Sequence, residues 1–260
     1  SHIVIVKKNH GELLKIIDPC INIIELNSTN ILSDIFVVRG YLKKHNFERF
    51  YTTLDRPNLV GFFASLLAGT KNKHFARVAA VHSEHILQTT FFKRKLLLRV
   101  LGILYPMFAN LISVSEAVKA DLSETYFVSA HKILKIYNPT KPIASSTHSL
   151  RVKGHDGPFK ILIVGRLVKQ KNVDKIITVF AQFLEFEPNA ELEILGDGED
   201  RSSLERLAFE LKIADKVKFI GFVENLDYYF QQADLFVLFS SWEGLPNVVL
   251  DALVHNVQII

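Results

Sequence analysis

Short apolar runs alternate with helix-length amphipathic patterns along nearly the whole chain, and the alternation breaks off once and then restarts. The first series has strand-like runs at Ile3–Val6, Ile21–Leu26, Phe50–Thr53, Ala76–Val81, Leu111–Val114 and Ile133–Ile136. Helical patterns lie between them at Ser33–His45, Asn58–Leu67, Lys93–Phe108 and Ser115–Tyr126. The second series has strands at Lys160–Val164, Glu191–Leu195, Val217–Ile220 and Leu235–Phe239, with helices over Val173–Phe186, Ser202–Lys212 and around Leu226–Gln232. Strands that take turns with helices argue for parallel sheets covered on both faces, so each series reads as a doubly wound α/β domain. Such sheets receive ligands beyond the carboxyl ends of their strands. Ser115 and Asn172 stand where helix N-caps belong, and Ser202 with Glu205 has the spacing of a capping box.

The break lies at residues 138–158, where proline, glycine, serine and scattered charge replace periodicity, as in a linker. The expected organisation is therefore a first domain over 1–140, a linker over 141–158 and a second domain over 159–260. The first residues are already strand-like and the last run, Val257–Ile260, is apolar, so both domains are expected to be incomplete in this chain. A hydrophobic content of 48% over 260 residues supports sizeable cores and excludes a disordered chain. The single cysteine, Cys20, rules out an internal disulfide and fits a reducing compartment such as the cytoplasm. A net charge of +4 with the signs intermixed is too mild to argue for nucleic acid, yet suits anionic ligands or lipid surfaces. No apolar run approaches the roughly 18 residues of a spanning helix.

Two stretches of the second series carry chemistry. Gly165-Arg166-Leu167-Val168-Lys169-Gln170-Lys171-Asn172 follows a strand, and its Arg166 and Lys171 flank a helix start. Arginine forks onto phosphate oxygens and lysine offers a compact charge, so two contacts could contribute about 1.5–3 kcal/mol each to holding a diphosphate. By itself the stretch also fits a solvated basic turn. Ser240-Ser241-Trp242-Glu243-Gly244-Leu245-Pro246-Asn247 follows the apolar run Leu235–Phe239 and leads into Val248, Val249, Ala252 and Leu253, the apolar face of a helix. Proline is tolerated in a first turn, and the free N–H groups there form an anion site bracketed by Glu243 and Asp251. Alone, this too fits an ordinary strand-to-helix turn.

Taken in order, Gly165-Arg166-Leu167, Gln170-Lys171-Asn172, Leu195-Gly196-Asp197-Gly198, Phe219-Ile220-Gly221, Ala233-Asp234-Leu235-Phe236-Val237 and Ser240 to Pro246 resemble the donor-binding domain of the GT-B glycosyltransferases, in particular the retaining family usually called family 4. The resemblance covers essentially all of 159–260. It implies an α/β GT-B architecture, two Rossmann-like domains facing across a cleft, with the donor in the second and the acceptor from the first. It further implies that Arg166 and Lys171 hold the donor diphosphate, and that backbone amides of Gly244, Leu245 and Pro246 meet sugar and phosphates. Glu243 would contact the transferred sugar as the first acid of an E-x7-E motif, and Asp251 the ribose as the second. The family usually has glutamate at that second position, one methylene longer. The base would pack near Phe222, Val223 and Leu226.

The first domain is more weakly similar. His82, in Val81-His82-Ser83-Glu84-His85, stands where the family often has a histidine near the transferred sugar. A structural histidine fits the same position. A metal pair with His85 lacks further ligands at a suggestive spacing, so no metal is expected. Ile112-Ser113-Val114-Ser115 and Ile136-Tyr137-Asn138-Pro139 also fit the family pattern. Phe91 to Arg99 mixes aromatics, cations and leucines, which suits either an anionic membrane surface or a domain helix with a buried leucine face. The resemblance therefore implies a retaining sugar transfer from a nucleotide-diphosphate sugar to a glycan or lipid-linked acceptor in polysaccharide or lipid-linked glycan biosynthesis, without cofactor. It leaves open peripheral membrane contact on the inner face. A non-catalytic nucleotide-sugar-binding module, or an epimerase or phosphorylase relative of the same architecture, stays open beside it.

Overall fold

A computed structural model describes residues 3–7, 22–26, 30–45, 47–87, 91–140 and 157–260. Most of the expected linker, 141–156, lies outside these residues. By packing, the chain forms two compact units, one of 1–79 with 89–136 and one of 80–88 with 137–260.

The first unit contains β1 (Ile3–Lys7) and β2 (Asn22–Leu26), a parallel pair, then α1 (Ile31–Lys44), β3 (Phe50–Thr53), α2 (Asp55–Ala68) and β4 (His74–Val78). After the short helix α3 (His82–Leu87), which belongs to the second unit, the first unit continues with α4 (Phe91–Met107), β5 (Asn110–Ser113), α5 (Glu116–Ala120) and β6 (Ile133–Lys135). Strands β3, β4, β5 and β6 pair in that order, all parallel. Ser115 caps α5 as expected, its Oγ accepting from Val118 N at 3.2 Å. The expected helix over Ser115–Tyr126 is helical from Glu116 to Thr125, but its winding changes. It widens into a π turn at Asp121–Thr125, where Tyr126 N donates to Asp121 O, and Ser123 turns its hydroxyl back onto Lys119 O. A serine that bonds its own helix backbone offers the chain an alternative to the regular ladder.

A buried polar chain ties β3, α2 and β4 together. Asn58 Nδ2 donates to Arg77 O at 2.9 Å, and its Oδ1 accepts from Thr52 Oγ1 at 2.7 Å. The Thr52 hydroxyl proton is thus committed, so the same oxygen accepts from His74 Nε2 at 2.8 Å, which fixes that nitrogen as the protonated one. Burial pushes the His74 pKa down to about 4, so the ring is neutral near pH 7. Gly61 makes room for it: a Cβ there would lie 2.8 Å from Nε2.

The second unit contains β7 (Lys160–Val164), α6 (Val173–Phe183), β8 (Glu191–Leu195), α7 (Arg201–Glu210), β9 (Val217–Gly221), α8 (Asp227–Gln232), β10 (Leu235–Phe236), α9 (Asn247–Val254) and β11 (Gln258–Ile259). Its sheet runs β11-β10-β7-β8-β9, parallel throughout. The continuous apolar character of β7 has a direct cause. Ile161 and Ile163 pack with Ile177 and Phe180 of α6 and Leu204 of α7 on one face. Leu162 and Val164 pack with Phe230, Phe236 and Ala252 on the other. Successive side chains point to opposite faces, and both faces are covered.

Asn172 is the N-cap residue of α6, as expected, but its φ and ψ of 48° and 38° are left-handed and its side chain caps nothing. The other expected helix start differs. The helix α7 follows Asp200, and Glu205 accepts from Arg201 Nε at 2.9 Å instead of closing a capping box with Ser202.

Candidate functional site

The strands β7 and β10 are hydrogen-bonded neighbours, with Leu235 opposite Ile161 and Phe236 opposite Leu162. The ladder continues one residue further through Val237 N to Leu162 O at 2.9 Å. Both strands run the same way, so their carboxyl ends deliver two loops side by side: 165–172 after β7 and 239–246 after β10.

Glycines let the first loop settle against its neighbour from β8. Gly196 has a φ of +127°, and a Cβ on it would fall 1.9 Å from Gly165 O. Gly198 lies as close to Leu167, with an imagined Cβ 2.3 Å from that carbonyl oxygen. The backbones are stitched together by Gly165 N to Leu195 O (2.9 Å), Leu167 N to Asp197 O (3.0 Å) and Asp200 N to Leu167 O (3.0 Å).

The 3-10 turn Lys169–Lys171 then grips the second loop. Gln170 Nε2 donates to Trp242 O at 2.7 Å, and Gln170 O accepts from Ser241 N at 2.8 Å. Asn172 Nδ2 donates to Phe239 O at 2.8 Å and to Ser241 Oγ at 2.9 Å. The left-handed turn at Asn172 is what aims its amide across, and asparagine tolerates that conformation better than most residues. Between these tethers, Lys171 Nζ meets Glu243 Oε1 at 2.5 Å, and the two side chains keep only 16% and 27% of their exposure. Arg166 projects from the same loop, exposed, with no side-chain partner among the described residues. A small pocket lies beneath, lined by Gly165, Arg166, Lys171, Leu238 and Phe239 with apolar residues of β7 and α6.

Gly244, Leu245 and Pro246 carry the chain into α9, whose N-terminus has no side-chain cap: Pro246 stands at the cap with φ −67° and ψ 126°. No side chain among the described residues satisfies its first amides, of which Val249 N donates to Pro246 O at 3.2 Å, and Glu243 precedes the helix by four residues. The loop is held from the other side by Asn138, whose Nδ2 donates to Leu245 O and to Asn247 Oδ1, both at 2.8 Å. Asp251 lies one turn into α9, half-buried, its carboxylate without a partner among the described residues. Its backbone carbonyl accepts from His255 N at 3.1 Å, and the His255 ring stacks on Phe230.

The other candidate residues lie in the same unit. Phe222 is exposed just after β9, while Val223 and Leu226 are half-buried against the cluster of Phe230 and Phe236. His82 opens α3 and is buried. The side chain of His85 lies outside the described residues. Among the described residues no three His, Cys, Asp or Glu side chains converge on one point. Sequence reasoning placed Lys171 and Glu243 in one site but missed their direct contact and the roles of Gln170, Asn172 and Asn138. Those contacts join residues 67 to 109 positions apart, so no local spacing signals them.

Residues 147–260 match the family model of the glycosyl transferases group 1. An uncharacterized glycosyltransferase of Methanocaldococcus jannaschii is 38% identical over 102 residues, 39% of this chain and 25% of that protein. The N-acetylgalactosamine-N,N'-diacetylbacillosaminyl-diphospho-undecaprenol 4-alpha-N-acetylgalactosaminyltransferase of Campylobacter jejuni is 26% identical over 212 residues, 81% of this chain and 56% of that protein. The chain thus spans a quarter to about half of these two relatives. Among solved structures, HepE of Anabaena in complex with UDP and glucose superposes with a TM-score of 0.74 at 17% identity, over all of this chain and 80% of that one. The fold is GT-B.

Proposed function

We propose that this chain, whose residues 147–260 match the family model of the glycosyl transferases group 1, comes from an enzyme that moves a sugar from a nucleotide-diphosphate donor to an acceptor hydroxyl with retention of configuration. The observation that carries the reading is the meeting of Lys171 and Glu243 beside the uncapped N-terminus of α9. Departure of a diphosphate concentrates negative charge, and Arg166, Lys171 and the first α9 amides supply fixed positive potential where it develops. These groups carry the leaving group with no metal or cofactor in the scheme. Glu243 and His82 face the transferred sugar, Asp251 the ribose, and Phe222, Val223 and Leu226 the base. Retention follows from front-face attack, with a donor phosphate oxygen taking the acceptor proton. A glycan or lipid-linked acceptor is the class that fits, as the name of the Campylobacter relative also suggests.

The test is to titrate nucleoside diphosphate and nucleoside into the Arg166→Ala and Lys171→Ala proteins. Diphosphate affinity is expected to fall about tenfold or more in each, because each loses a charge-assisted contact, while nucleoside affinity holds. Equal loss for the nucleoside would mean that these residues maintain the fold or the base pocket. A binding module and an epimerase or phosphorylase relative are separated from the transferase by their products, since only the transferase yields an acceptor glycoside from the donor.

A membrane is the second partner proposed, on a separate observation. Leu96, Val100, Ile103 and Met107 form a stripe along α4 with exposures of 63%, 40%, 67% and 42%, so the leucine-rich helix does not bury this face. Exposed Lys95 and Arg99 flank the stripe. An apolar stripe beside cations suits the surface of an anionic bilayer, each cation contributing about 1 kcal/mol. No helix among the described residues is long and apolar enough to cross it. Changing Lys93, Arg94 and Lys95 to Gln is expected to weaken the affinity of the full-length protein for anionic vesicles roughly a hundredfold, read by sedimentation. Unchanged partitioning would remove this contact from the proposal.

A further inference from the structure

The two residues assigned to different parts of the donor are bonded to each other. In the reading above, which this inference rests on, Lys171 receives the diphosphate and Glu243 the transferred sugar. A ligand that takes Lys171 therefore takes away the partner of Glu243. We infer that Glu243 is a specificity residue that makes the site discriminate against nucleotide lacking its sugar.

The geometry leaves Glu243 little freedom to escape. Gln170 and Asn172 hold Phe239, Ser241 and Trp242 by four hydrogen bonds between 2.7 and 2.9 Å, so the backbone on the N-terminal side of Glu243 is fixed relative to Lys171. On the C-terminal side, Asn138 holds Leu245. When a bare nucleoside diphosphate engages Lys171, the Glu243 carboxylate stays in a mostly buried position with no cation and a phosphate anion for a neighbour. Partial desolvation and like-charge repulsion both oppose that state. A nucleotide sugar breaks the same ion pair but presents hydroxyl donors to the carboxylate, so its lost bond is replaced. The penalty thus falls on the sugar-free nucleotide. That is the species left after transfer, so the same contact favours its release. Discrimination here comes from a cost placed on the wrong ligand as well as from contacts to the right one.

The consequence has an unusual sign: removing a residue of the site should strengthen binding. The test measures affinity by calorimetry for whichever of UDP, GDP and ADP most raises the Tm of the full-length protein, and for inorganic pyrophosphate, which removes the base from the comparison. Glu243→Gln is expected to tighten both about threefold to tenfold, the range of a partly buried ion pair. Asp174→Asn, which removes a carboxylate from the first turn of α6 outside the pair, is expected to leave affinity within about twofold and so controls for net charge. In a Lys171→Ala background the gain from Glu243→Gln should shrink, because the ion pair is already gone and only the repulsion between carboxylate and phosphate is left to relieve; the double-mutant cycle isolates the coupling between the two side chains. Glu243→Ser gives a second measurement should the glutamine rebuild a bond to Lys171. Unchanged or weaker diphosphate binding in both Glu243 variants, with Lys171→Ala still weakening it, would overturn the inference and leave the donor reading standing. If Lys171→Ala itself has no effect on diphosphate binding, the donor reading falls, and the inference with it.

Discussion

In the full-length protein, Glu243→Gln is expected to lower sugar transfer roughly a hundredfold or more while nucleotide binding persists. The substitution keeps the shape of the side chain and removes its charge. Departure of a diphosphate from a sugar builds positive charge at the anomeric carbon, and a nearby carboxylate stabilises that charge more in the transition state than in the ground state. An interaction of this kind appears in kcat, with little change in KM. Its location fits: Glu243 sits between the strand end of β10 and the first turn of α9, beside the cation assigned to the leaving group. The measurement is initial rate against donor concentration, with affinity measured separately on the same preparation. Transfer at the wild-type rate would strip Glu243 of any role in the chemistry and sink the mechanism placed on this loop.

Gly196→Ala is expected to destabilise the second unit by about 4 kcal/mol, a large share of a domain's total stability. Its φ of +127° is one that L-residues rarely adopt, and the new methyl would lie 1.9 Å from Gly165 O, a backbone atom held by its own hydrogen-bonded neighbours. Nothing flexible can move aside. Gly40→Ala in α1 is the contrast: no heavy atom lies within 4 Å of its added Cβ, and alanine in a helix interior is favoured over glycine by about 0.5–1 kcal/mol. Denaturant unfolding of both variants measures the difference. A Gly196→Ala protein with wild-type midpoint would mean that the loops after β7 and β8 do not need their close approach.

Much of this fold was legible because its forces are local. Beyond Lys160 the β7 strand is buried on both faces, so Ile161–Val164 are all apolar, and the apolar run ends where the strand ends. Ser115 reads as a cap because capping spans only four consecutive residues, here Ser115 to Val118. The failures have the opposite cause. Asn172 does stand at the N-cap of α6, but its side chain turns to Phe239 O and Ser241 Oγ, partners that lie in another loop, instead of capping. Glu205 has capping-box spacing, but Arg201, one turn earlier on the same helix, takes it. The helix after β5 changes its winding at Asp121 because Ser123 competes for its backbone. The residues of the candidate site could be named from motifs in register, yet motif order says nothing of whether two named side chains touch. The bond between Lys171 and Glu243 needed the adjacency of β7 and β10, which sequence alone does not order.

The tethers between 170–172 and 239–243 also bear on chain entropy. Each joins residues about seventy positions apart, and bringing such ends together costs about 4 kcal/mol beyond a constant term. That cost is incurred once. After any one of these contacts has formed, the rest close only short loops, so each adds its full strength to an arrangement already assembled. None of them alone offsets the closure, because a single hydrogen bond contributes about 1 kcal/mol net. The contacts must therefore appear together or not at all, along with the β7–β10 ladder that shares the same closure. The two loops behave as a single cooperative element: a chain either has both walls of the site in register, or has neither.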